Sequence, residues 1–122
     1  MSEVEPLEPE RLTWTVLLAR WTDFAGSAVA LPTEGEPGRV RRSVADIVAL
    51  QAVWFALGQM DALDARERAI GLDRAGVLID RHGSAIRARF EGEPLPEGLV
   101  ELLDDVAAAY SEQQLKLDRI RK

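Results

Sequence analysis

Residues 43–63 read Ser-Val-Ala-Asp-Ile-Val-Ala-Leu-Gln-Ala-Val-Trp-Phe-Ala-Leu-Gly-Gln-Met-Asp-Ala-Leu. Helical spacing gathers Val44, Ile47, Val48, Trp54, Phe55 and Gly58 on one arc, flanked by Leu50 and Leu57. The opposite side carries Ala45, Ala49, Ala52 and Ala56. A helix that is apolar all round is buried on more than one side. The segment therefore predicts a central, largely buried helix. Its alanine stripe admits a second backbone at close range, from the same chain or from another copy. Gln51 interrupts the large arc, where a buried amide must be hydrogen-bonded or cost a few kcal/mol. It is expected to bond a neighbouring helix, with a ligand contact as the alternative. Ser43 and Asp46 have the spacing of a short-armed capping box.

Upstream, residues 32–38 (Pro-Thr-Glu-Gly-Glu-Pro-Gly) are rich in helix breakers, and Arg39, Arg41 and Arg42 read as a solvated loop before the central helix. Before them, residues 9–31 predict a first helix that opens on Pro9, with Trp14, Leu17, Leu18, Trp21 and Phe24 on its apolar arc. Residues 1–8 are acidic and proline-containing, and are expected to be flexible.

Downstream, Asp64 and Glu67 form a second capping-box signal, which starts a third helix that runs to Phe90. Within it, Leu72, Ile79 and Ile86 form one heptad line, and Ala69, Gly76 and Gly83 a second. Glycine inside a helix costs about 1 kcal/mol relative to alanine, so close packing along this seam is the expected compensation. On that reading Gly76→Leu costs several kcal/mol through overpacking. Ile70 and Val77 make a weaker apolar stripe, a candidate for self-association. Residues 91–96 break the helix, and a fourth spans 97–120 with Tyr110 and Gln113 as polar intrusions on its apolar arc. No alternating run supports a strand. The expected fold is all-α: a four-helix antiparallel bundle with a central second helix, forming one domain over residues 9–122.

The chain has 122 residues, 15 basic against 21 acidic, a formal net charge of −6, no cysteine and one histidine. The length suits one core. The missing cysteines exclude disulfides and thiolate chemistry. The negative charge disfavours general binding of a phosphate backbone, and although the third helix is rich in arginine, acidic residues interleave. A di-metal bundle needs Glu-x-x-His pairs, but Ile79 stands three residues before His82. His82 thus reads as a boundary residue rather than a base or ligand. The carboxylates Asp61, Asp64 and Glu67 fit capping, and Glu101, Asp104 and Asp105 lie off the core arc. There is no phosphate-binding loop and no nucleophile elbow. No cofactor, metal or catalytic residue is expected. Neither a secretory signal nor a membrane-length apolar run is present, so a cytoplasmic location is the expectation.

The leading functional expectation is a non-enzymatic interaction or scaffold protein that forms a homodimer, and so has a protein partner. Ala45, Ala49, Ala52, Ala56, Ile70 and Val77 are its candidate interface. The competing class is a small-molecule-binding bundle, enzymatic or not, with an aromatic pocket from Trp14, Trp21, Gln51, Trp54, Tyr110 and Gln113. A nucleic-acid regulator is the third.

Overall fold

The computed structural model describes residues 12–28 and 37–121. The expectations for residues 1–8, for Pro9 and for most of the 32–38 loop fall outside them. The described residues form helices α1 (Trp14–Ala28), α2 (Pro37–Arg42), α3 (Val44–Gly58), α4 (Ala65–Arg89) and α5 (Glu97–Arg121), with a 3-10 turn at Met60–Ala62. No strand occurs among them, and no helix is long and apolar enough to cross a membrane.

Several boundaries differ from expectation, each for a local reason. Helix α1 begins at Trp14, and residues 12–13 before it are not helical, because Thr13 caps it. The Thr13 hydroxyl oxygen accepts from the Val16 N–H at 3.2 Å. The Trp14 N–H donates to Glu67 Oε1 of α4 at 2.9 Å, so a carboxylate from another helix meets the positive end of α1. Arg39, Arg41 and Arg42 belong to the short helix α2 rather than a loop. Pro37 suits its first position, and buried Val40 anchors it. The predicted central helix ends at Gly58 rather than Leu63, and the 3-10 turn carries the chain on toward α4.

The two capping signals part company. Asp64 accepts from the Glu67 N–H at 2.9 Å and caps α4 as the sequence predicts. Ser43 makes no cap to α3. Its hydroxyl donates backward to the Arg39 carbonyl at 2.9 Å, and Asp46 is drawn instead to α4.

α3 packs against α1, α4 and α5. Ile47, Leu50, Val53, Ala56 and Leu57 are buried with Trp14 and Leu17 from α1, Leu72 and Ile86 from α4, and Leu99 and Val106 from α5. Gln113 ties α5 to α3 by donating from Nε2 to the Leu57 carbonyl at 2.9 Å. The expectation that neighbours wrap α3 all round is corrected. Ala52 and Ala56 are sealed inside the chain, whereas Ala45, Trp54 and Gly58 are exposed.

The glycine seam also differs from expectation. A Cβ at Gly83 would sit 3.3 Å from the flexible Arg87 Nη1 and 3.5 Å from Leu103. At Gly76 it would meet the Tyr110 hydroxyl oxygen at 2.9 Å, so the approach there is to a side chain. The tightest site is Gly71, which lies on neither heptad line. There a Cβ would fall 2.8 and 2.9 Å from the rigid Trp14 indole and 3.0 Å from Met60 Cε. Gly92, at φ +85°, lets the chain turn between α4 and α5.

Candidate functional site

Three features other than the apolar core stand out, one polar and two apolar. The polar one joins α3 to α4. Asp46 is 8% exposed although it carries a charge. His82 Nδ1 lies 2.7 Å from its Oδ1, and Arg89 Nη1 donates to its Oδ2. Arg89 also reaches the Ser43 hydroxyl at 3.4 Å. Burial pushes the Asp46 carboxyl up. Hydrogen bonds from His82 and Arg89, together with their positive charge, outweigh that and hold it below its ordinary value of 3.8. An aspartate bonded to Nδ1 orients an imidazole as it does in a general base. Here the nearby hydroxyl of Ser43 is committed to a backbone carbonyl, and an arginine shares the carboxylate. The arrangement suits a tie between helices better than a reaction centre. Among the described residues no cluster of His, Asp and Glu is arranged to hold a metal ion.

The second feature is an aromatic cluster between α1 and α3. The Phe55 ring centre lies 4.9 Å from Trp21, 5.7 Å from Phe24 and 5.3 Å from Trp54. Trp21 and Phe24 meet edge-on at 5.4 Å, and the Trp21 Nε1–H donates to Gln59 Oε1 at 3.1 Å. The cluster reaches the surface, where Phe24 is 50% and Trp54 36% exposed. Around it the outward positions of α3 are Ala45, Val48, Gln51, Trp54, Phe55 and Gly58, none of them charged.

The third is a groove of about 490 Å³ between α1 and α4. Trp14 and Leu18 form one wall, Val77 and Leu78 the other, and Asp73, Arg74 and Arg81 stand along it. Arg74 crosses it to the Thr15 hydroxyl at 3.2 Å. Trp14 is almost wholly buried, and its Nε1–H has no acceptor among the described residues.

The expected pocket residues do not converge. Trp21 and Trp54 join the surface aromatic cluster through Phe55, and Gln51 is half-buried on the same helix. Trp14 faces the groove instead. Tyr110 packs over Gly76, and Gln113 is spent on the Leu57 carbonyl. Of the expected interface residues, Ala52 and Ala56 are buried against neighbours in the same chain. Ala49 and Ile70 are half-buried, Ala45 is exposed, and Val77 lies in the groove. Sequence reasoning took Asp46 for a capping residue rather than a tie to α4, and it missed the groove. The groove had a readable signal: Arg74, Val77, Leu78 and Arg81 are spaced i, i+3, i+4 and i+7, so two arginines bracket two apolar residues on one helix face. Comparison with protein-family models, with curated proteins and with solved structures finds no match for the chain.

Proposed function

We propose that this protein is a non-enzymatic interaction module that pairs with a second copy of itself. The paired surface is the outer face of α3 with the aromatic cluster that α3 shares with α1. One observation carries this reading: that face is free of charge and, Gln51 apart, apolar and aromatic, in a chain of net charge −6. Two such chains repel each other on average, and their least repulsive contact is between uncharged faces. The single charged residue of α3, Asp46, is turned inward and neutralised by its partners on α4. Fifteen helical residues give a strip about 22 Å long, and exposed aromatics at its middle are the usual anchors of an interface. Ala45 and Ala49 remain at the edge of this surface. On the same reading α1, α3, α4 and α5 form an antiparallel four-helix bundle around α3, with α2 as an added turn.

Sedimentation equilibrium at micromolar to millimolar concentration tests the proposal. Wild type is expected to form a dimer, and the double variant Phe24→Ser, Trp54→Ser a folded monomer. A wild-type monomer throughout that range, or a dimer indifferent to both substitutions, contradicts it.

A further inference from the structure

The groove between α1 and α4 lies apart from the proposed dimer face and has its own chemistry. Its walls are apolar, and Val77 is 57% exposed although it is a large aliphatic residue. Along the groove two guanidinium groups lack carboxylate partners. Arg74 is bonded to the neutral Thr15 hydroxyl, and Arg81 makes no hydrogen bond or ion pair among the described residues. Arg81 thus sets a positive charge beside apolar surface, on a chain of formal net charge −6. Among the described residues, Asp73 is the acidic side chain on the groove, and it stands eight helical positions from Arg81, a separation of about 12 Å along the axis. The groove is therefore polarised. It offers a free cation at the Arg81 end, an aliphatic strip in the middle, and the Trp14 indole beside Asp73 and Arg74 at the other end. Its volume falls within the range of about 300–1,000 Å³ that small-molecule sites occupy.

We propose that this groove binds a single-chain anionic amphiphile, a medium-chain carboxylate. The head group pairs with the Arg81 guanidinium, whose fork matches a carboxylate. The alkyl chain lies over Val77, Leu78 and Leu18, and its end meets Trp14. A cationic head group is repelled by Arg81, and at the opposite end the tail would have to enter past two ionic side chains. The site requires neither self-association nor the aromatic cluster.

Titration calorimetry of the 122-residue chain with sodium decanoate, below its micelle concentration, tests this directly. The expected result is saturable binding of one decanoate per chain, with quenching of tryptophan fluorescence. Arg81→Ala and, separately, Val77→Asp should each weaken that binding by roughly tenfold or more, and both should melt like wild type because both positions are exposed. Decyltrimethylammonium, with the same chain and opposite charge, should bind at least about tenfold more weakly. Absence of saturable decanoate binding overturns the proposal. So does equal binding of the cationic analogue, or decanoate binding that neither substitution weakens. Binding to anionic lipid vesicles without binding of free decanoate also overturns it, in favour of a membrane surface. A monomeric protein that still binds decanoate would refute the dimer and leave this site standing, so the two readings fail separately.

Discussion

The inner and outer faces of α3 are built from one continuous apolar segment and are used in opposite ways. Inward, every position has a partner. Leu50, Val53, Ala56 and Leu57 are fully buried, the Leu57 carbonyl accepts from Gln113, and Asp46 is held by His82 and Arg89. Outward, Trp54 and Phe24 stand partly in solvent around Phe55. Apolar composition alone thus does not say which residues carry the fold. Satisfied contacts do, and what remains uncovered is available for association.

The comparison can be broken first at the inner face. Trp14→Ala removes the buried indole that packs on Gly71, and should lower stability by about 3–5 kcal/mol in urea denaturation. Gly71→Ala attacks the same contact from the other side. Its Cβ meets a rigid ring, so a loss of about 1–3 kcal/mol is expected despite the better helix propensity of alanine. Asp46→Ala should cost about 1–3 kcal/mol near neutral pH, since it strands two donors that remain partly solvated.

That last contact also has a pH signature. The folded-state carboxyl of Asp46 titrates below its ordinary value of 3.8. Its contribution is therefore complete above that value and is lost as pH falls through the folded-state value. The stability gap between wild type and Asp46→Asn should shrink as pH falls below 4, as followed by urea denaturation at each pH. A gap that instead widens in acid would reverse the assigned role. The smallest effect is expected at Gly83→Ala, where a Cβ meets the flexible end of Arg87 at 3.3 Å and Leu103 at ordinary contact distance. That variant should be neutral or more stable by up to about 1 kcal/mol in thermal denaturation.

Much of the fold was legible because helical periodicity and breakers are local signals. The apolar arcs, the Asp64 cap and the break at residues 91–96 all appear near where the sequence puts them. What escaped is tertiary. Ser43 and Asp46 have capping-box spacing, and nothing local reveals that a histidine 36 residues away competes for the carboxylate. Heptad spacing singled out Gly76 and Gly83, whereas Gly71 is the glycine under a rigid ring, a fact fixed by where α1 crosses α4. The three tryptophans share apolar arcs but not a destination. Trp21 and Trp54 meet at Phe55, and Trp14, two turns earlier on α1, packs over Gly71 and lines the groove. Arc membership says that a residue is covered without saying by what.

The division of labour between the faces of α3 is tested most directly by the melting temperature as a function of protein concentration. If the outer face joins two copies, the melting temperature of wild type rises with concentration, because association stabilises the folded state by mass action. The Phe24→Ser, Trp54→Ser variant should melt at one temperature throughout, while Gly71→Ala should melt lower yet keep the wild-type slope. A flat wild-type line, or a slope lost in Gly71→Ala and kept in the aromatic double variant, would contradict the account.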